Sequence, residues 1–128
     1  RNVRLIPRQP KERMPALWSL CDLAVVPLRD TPVFATVIPS KIFEAMGMGV
    51  PILMSLPQGE ATGIVTATGS GVCVPPENPQ AMAEAIARLA NAPKDMQGLR
   101  QRAREAAPQF SRDHLARSMT AILEGVVR

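Results

Sequence analysis

A hydroxyl, an ammonium group and a carboxylate lie close together at Ser40, Lys41 and Glu44, inside Ile38-Pro39-Ser40-Lys41-Ile42-Phe43-Glu44-Ala45-Met46-Gly47-Met48-Gly49-Val50-Pro51. Residues three and four apart share a helix face, so Glu44 falls one turn beyond Ser40 and Lys41 on the same side. The free amides at a helix start point outward, and the helix dipole adds partial positive charge, so such a start is a physical anion site. A carboxylate one turn from a phosphate suits a neutral diol better than a second anion. A ribose beside a diphosphate supplies that diol. An ordinary capped helix with solvated Lys41 and Glu44 meets the same spacing, and the residues alone leave both readings open.

The elements that would position these groups are legible around them. Ser40 is a good N-cap type, since its hydroxyl can accept a bond from a first-turn amide. Ile42, Phe43 and Met46 supply apolar surface, and Gly49 suits the left-handed residue past a helix end. Val50-Pro51-Ile52-Leu53-Met54 restarts as a strand, with Pro51 confined to its first position. Upstream, residues 2–6 (Asn2-Val3-Arg4-Leu5-Ile6) read as a short strand, and residues 11–21 as a helix with Pro15 in its first turn. Met14, Leu17, Trp18 and Cys21 follow the three-four spacing of a buried stripe, so Trp18 reads as a packing residue rather than a ligand platform. Asp22-Leu23-Ala24-Val25-Val26 has the continuous apolar pattern of a strand covered on both faces. An irregular loop from Pro27 to Val37 carries Arg29, Asp30, Thr31 and Thr36.

Downstream, the strand at residues 52–56 turns at Pro57-Gln58-Gly59 into a helix from Glu60, stopped by Gly69-Ser70-Gly71. Gly71-Val72-Cys73-Val74 reads as a short buried strand. Asn78 caps the next helix with Pro79 at its first position, and Met82, Ile86 and Leu89 form its inner face. Pro93 stops that helix, a charged helix runs over residues 94–107 until Pro108, and the last spans residues 111–127 with Ser111 as cap. Alternating helices and apolar strands predict an α/β fold, a Rossmann-like parallel sheet with helices on both faces. Ligands of such sheets sit at the carboxyl ends of the strands, which is where the Pro27–Ser40 segment and the start of the central helix fall.

Composition narrows the function classes. The chain has 128 residues, begins with Arg1 rather than methionine, and reads as one domain at most, a piece of a longer protein. Hydrophobic residues make up 46% and aromatics 3%, so a globular core built on aliphatic side chains is expected. No apolar run reaches the length of a membrane span and no signal peptide is visible. The net charge of +4 favours anionic partners such as nucleotides or a phospholipid surface. The basic clusters at residues 1–13 and 100–104 lack interleaved aromatics, which argues against nucleic acid. Cys21 and Cys73 read as buried, reduced thiols, and one histidine, His114, cannot make a zinc site.

Pro39-Ser40-Lys41, followed by Phe43-Glu44-Ala45-Met46 and Gly49-Val50-Pro51, resembles the donor-site signature of family 4 glycosyltransferases. These are retaining enzymes of the two-domain GT-B fold. The likeness is greatest to the bacterial subgroup that assembles O-antigen, capsule and colanic-acid polysaccharides. It extends along the chain through Asn2-Val3-Arg4-Leu5, residues 71–79 with Ala83, Ala85 and Ile86, and Phe110-Ser111-Arg112. The resemblance implies that residues 1–128 are a partial C-terminal domain that binds a nucleotide sugar. The N-terminal acceptor domain and first strands would lie outside it. It implies that Glu44 holds the ribose hydroxyls and that amides around Ser40 and Lys41 face the diphosphate, with Pro39 among the donor-binding residues. It also implies that the C-terminal helix returns toward the N-terminal domain.

Many members of that family carry a second glutamate, against the donor hexose, where this chain has Thr36. A hydroxyl can still bond a sugar, but without the charge. Glu60 could reach a sugar hydroxyl or support the start of its own helix. The implied activity is transfer of a sugar from a nucleotide-sugar donor, UDP-linked, to a lipid-linked saccharide. Neither metal nor cofactor is expected. The expected setting is cytoplasmic, with peripheral association at the inner face of the plasma membrane. A GT-B-fold epimerase or phosphorylase, or a non-catalytic anion- or membrane-binding domain, would use the same features differently.

Overall fold

Continuous apolar character at Ile52, Leu53 and Met54 demands cover on both faces of a strand, and the chain is built around that demand. A computed structural model describes residues 2–127. Three parallel strands, β1 (Ala24–Pro27), β2 (Ile52–Ser55) and β3 (Gly71–Val74), pair in the order β1-β2-β3. Ala24 faces Ile52 in one ladder and Ile52 faces Gly71 in the other. Seven α-helices surround or extend this sheet among the described residues: α1 (Met14–Trp18), α2 (Pro32–Ala35), α3 (Lys41–Gly47), α4 (Glu60–Thr68), α5 (Pro79–Ala90), α6 (Pro93–Ala106) and α7 (Arg112–Val127). The α/β fold, with helices on both faces of a parallel sheet, is as the sequence predicts.

The larger core cluster joins Ala24, Val26, Ile52 and Met54 of the sheet to Ile42, Ala45 and Met46 of α3, Val65 of α4, and Ala103 and Ala106 of α6. Side chains alternate across a strand, so Leu53 points to the opposite face. It is fully buried outside that cluster, and Ala85 and Leu89 of α5 and Leu99 of α6 are buried outside it too.

Helices α3 and α4 end with the same device. Gly49 has φ +64° and Gly69 φ +63°. Past α3, the Val50 amide donates to the Ala45 carbonyl (2.9 Å) and the Gly49 amide to that of Met46 (2.9 Å). Past α4, the Ser70 amide donates to Val65 (3.3 Å) and the Gly69 amide to Thr66 (3.2 Å). Both are Schellman endings, which satisfy orphan carbonyls and turn the chain directly into a strand. Arginines of α6 cover both turns: Arg102 Nε donates to the Gly69 carbonyl (2.9 Å), and the Arg104 side chain packs on Gly49. Cations suit the negative ends of helix dipoles.

Several expected elements differ. Residues 2–10 form no strand; Leu5 is 91% exposed and nothing pairs with the segment among the described residues, and a strand exists only as part of a ladder. Strand β1 is buried only at Ala24 and Val26, with Val25 exposed, because it is an edge with one covered face. Strand β3 is the opposite edge and is likewise only half covered. The helix expected over residues 11–21 stops at Trp18 after a 3-10 turn at Lys11–Arg13. In α5 the buried residues are Ala85 and Leu89, while Ile86 is 41% exposed, because the small Ala85 permits the close approach to the sheet. Pro93 begins α6 as well as ending α5. Cys21 is half-buried and Cys73 exposed, and both are free thiols; partial desolvation of the Cys73 sulfur raises its pKa above the ordinary 9.0. Helix α7 is exposed throughout, including a stripe of Leu115, Met119, Ile122 and Val126.

The left-handed turn at Gly49 generates a quantitative expectation. Gly49→Ala should lower stability by about 1–2 kcal/mol from backbone conformation alone. The added methyl also meets the Arg104 side chain. Urea denaturation of Gly49→Ala with and without Arg104→Ala should show partial recovery in the double variant, with the backbone cost remaining.

Candidate functional site

Helix α3 carries the residues singled out from the sequence. Ile42, Ala45 and Met46 are buried and fix its inner face, which leaves Lys41 and Glu44 exposed on the other. The helix begins beyond the carboxyl end of β1, as the sequence predicts. Its first turn is tight: the Ile42 amide donates to the Pro39 carbonyl (3.1 Å) and the Phe43 amide to the Ser40 carbonyl (3.1 Å). Ser40 has φ −58° and ψ −25°, and its hydroxyl accepts no first-turn amide. The cap expected there is therefore not formed, because capping geometry needs an extended residue and Ser40 is helical. The amides of Ser40 and Lys41 have no acceptor among the described residues, and both residues are exposed, so two unbonded donors lie beside the Lys41 ammonium group.

Glu44 does not stand alone in solvent. The Trp18 indole Nε1 donates to Glu44 Oε2 at 3.2 Å. The Trp18 ring packs against the core cluster, in keeping with the packing role read from sequence. The sequence reading missed its second role. The available signal was chemical: an indole N–H can only donate, so it pairs with a carboxylate that comes within reach. Trp18 and Glu44 line an open pocket of about 680 Å³ with Met14, Pro15, Phe43 and Met48. Lys11 and Arg112 also border it. Phe43 in turn packs on Phe110, with ring centroids 4.9 Å apart.

Thr36 and Glu60 sit on adjoining segments. The loop predicted as irregular contains the short helix α2, and Thr36 follows it, exposed, with its hydroxyl donating to the Val33 carbonyl (2.8 Å). The Ala35 backbone abuts Gly59, the residue before Glu60, so closely that a side chain there would collide with the Ala35 carbonyl. Glu60 is the first residue of α4 and exposed. A carboxylate in a first turn suits the helix dipole. The hydrogen bonds at that start come from Thr62, whose Oγ1 accepts from the Gly59 amide (2.9 Å). Glu60 lines a different pocket from Glu44, with Arg102, Glu105 and Phe110. The structure thus places Lys41 and Glu44 on α3 with Pro39 and Ser40 just before it, and Thr36 on the segment that abuts the α4 start at Glu60.

A clamp behind the loop also escaped the sequence. Glu77 has φ +51°, and its Oε2 accepts from the Asp30 amide at 3.1 Å, which ties the turn after β3 to the loop after β1.

The family model for glycosyl transferases group 1 matches residues 1–110. The chain belongs to the group 1 glycosyl transferases. A solved sucrose-phosphate synthase from Thermosynechococcus elongatus superposes on this glycosyl transferase chain with a TM-score of 0.71 and 26% identity. That match covers 87% of this chain and 27% of the synthase. An exopolysaccharide phosphotransferase of Streptomyces coelicolor is 26% identical over 119 residues, 92% of this chain and 12% of the relative. The chain thus spans roughly a quarter or less of these relatives. The GT-B-type fold accounts for the carboxyl-end placement of the α3 start.

The cap geometry separates two serine- and asparagine-headed helices of this glycosyl transferase chain. Asn78 Oδ1 accepts the Ala81 amide at 2.9 Å, so Asn78→Ala should cost about 1 kcal/mol. Ser40→Ala should leave thermal stability within about 0.5 kcal/mol of wild type, the range of ordinary surface substitutions. Parallel thermal melts of the two variants check the contrast.

Proposed function

We propose that residues 1–128 form the donor-binding part of a retaining family 4 glycosyltransferase. The complete enzyme transfers a sugar from a UDP-linked donor to a lipid-linked saccharide in cell-surface polysaccharide assembly. One observation carries the reading: within a group 1 glycosyl transferase match over residues 1–110, Glu44 stands exposed one turn beyond the unbonded amides of Ser40 and Lys41. The Pro39-Ser40-Lys41 and Phe43-Glu44-Ala45 pattern supports the family 4 assignment. The exopolysaccharide relative supports the polysaccharide setting.

In this reading Glu44 accepts both ribose hydroxyls. Its carboxylate has about four lone-pair sites, and the Trp18 bond uses one of them. Pro39 sets the tight turn that leaves the Ser40 and Lys41 amides free, and these amides with the Lys41 ammonium group meet the diphosphate. Thr36 offers a neutral hydroxyl to the donor sugar, with Glu60 on the adjoining segment. Rate acceleration then comes from holding the two substrates in line and from stabilising charge on the departing diphosphate. The reading assigns no metal or cofactor a part in this. The acceptor is held by a domain outside residues 1–128, and the exposed apolar stripe on α7 is suited to pack against it. No helix among the described residues is long and apolar enough to cross a membrane. We assign the enzyme to the cytoplasm, at the inner face of the plasma membrane, where lipid-linked acceptors are presented.

Two measurements test the reading. Two charge-assisted contacts worth about 1.5–3 kcal/mol each should be lost in Glu44→Ala of the full-length enzyme, which lowers donor binding or turnover tenfold or more. Glu44→Gln should fall between alanine and wild type, and stability should drop by no more than about 1.5 kcal/mol in either, the worth of the exposed Trp18 bond. Wild-type donor kinetics in Glu44→Ala would remove the ribose assignment. Residues 1–128 alone should turn over no nucleotide sugar and bind UDP no tighter than about 1 mM, near 4 kcal/mol. Sub-micromolar UDP binding would show that the chain holds a complete site.

A further inference from the structure

The Trp18–Glu44 bond is unusual in what it does to a carboxylate meant to accept. An exposed glutamate on a helix samples several rotamers, and ordering it on a ligand costs conformational entropy. A lysine or arginine partner would order it too, but would neutralise its charge and compete for its lone pairs. Glu44 has no such partner among the described residues, where the ion pair present is Arg100 with Asp22. The indole N–H can only donate, carries no formal charge, and offers a single hydrogen. Its ring is held against the core cluster at one end of α1, so the donor is fixed by packing before any ligand arrives. The two residues lie 26 positions apart, so the bond also pins α1 to the exposed face of α3.

We infer that Trp18 is a positioning residue whose indole N–H fixes the Glu44 carboxylate in the orientation that accepts the donor ribose hydroxyls. The inference rests on the ribose reading of Glu44. Trp18 acts through Glu44: it occupies one site on Oε2 and leaves Oε1 unengaged among the described residues. Loss of the N–H therefore weakens recognition of the ribose and leaves the rest of nucleotide binding unchanged.

The experiment compares UDP with 2′-deoxy-UDP in the full-length protein, in wild type, Glu44→Ala, Trp18→Phe and the double variant. Wild type should prefer UDP, and Glu44→Ala should abolish that preference. Trp18→Phe keeps an aromatic ring at the position, though a smaller one, and removes the N–H, so UDP affinity should fall about three- to tenfold, with the preference for UDP shrinking in step. In the Glu44→Ala background, Trp18→Phe should cost nothing further. If Glu44→Ala keeps the wild-type preference, the ribose reading itself fails. If Glu44→Ala loses it while Trp18→Phe keeps it, or weakens both nucleotides equally, the positioning inference alone is overturned. Should Trp18→Phe not fold, Glu44→Gln in indole-15N-labelled protein reads the same bond. An indole N–H resonance should move with that substitution, and failure of any to move overturns the inference.

Discussion

Burial of β2 on both faces is the constraint from which the rest of the molecule follows. Ile52, Leu53, Met54 and Ser55 are all buried, with the first three at 0% exposure. Each of those large side chains contributes about 1.5–3 kcal/mol when withdrawn from water, so the strand cannot lie at an edge or on one side of a sheet. It takes β1 and β3 as parallel neighbours. Parallel neighbours need crossovers, here through α3 and α4, and crossovers must begin beyond the carboxyl ends of the strands they leave. Ser55, the polar member of the strand, is tolerated because its hydroxyl donates to the Pro75 carbonyl at 3.2 Å. The exposed start of α3 is thus a consequence of burying the strand that follows it.

The turn from α3 into β2 transmits that constraint. With Gly49 left-handed and Val50 bonded back to Ala45, the helix end is locked to the strand start with no free loop between them. Ile42, Ala45 and Met46 then set the rotation of the helix about its axis, because all three must enter the core. That rotation puts Glu44 outward on the side where Trp18 reaches it. The side of α3 from which a candidate ligand-binding carboxylate emerges is therefore decided by apolar packing on the opposite face of the same two turns.

Much of this was legible in the sequence because the signals were local. Gly49 and Gly69 mark helix ends that only a left-handed residue closes, and Asn78-Pro79 and Ser111 mark starts whose side chains accept amides, Ala81 for Asn78 and His114 for Ser111. Ser40 misled because a good capping residue type does not guarantee an extended backbone, and the turn after Pro39 makes it helical. Residues 2–6 misled because strand composition says nothing about whether a neighbouring strand is available. Ile86 lost its inward place to Ala85, a choice governed by how closely α5 approaches the sheet. In the candidate site, Glu44 and its helix were readable from spacing. Trp18 as its donor and Glu77 as the clamp on Asp30 were not, since each joins residues far apart in the chain.

The positive charge of the chain is less available to partners than its sequence suggests. The cluster at residues 100–104 looks like a basic patch, yet its arginines are committed to the fold. Arg100 bonds both the carboxylate and the carbonyl of Asp22, Arg102 bonds the last turn of α4, and Arg104 packs over Gly49. A surface whose cations serve as helix-end and loop partners offers little free charge to a lipid headgroup. By contrast, Lys41 projects from the start of α3 beside two unbonded amides, and Lys11 and Arg112 border the pocket that holds Glu44. The Glu44 pocket therefore sets two cations, Lys11 and Arg112, beside a carboxylate whose only bond among the described residues is to a neutral indole, a lining that can meet both an anionic and a neutral polar group.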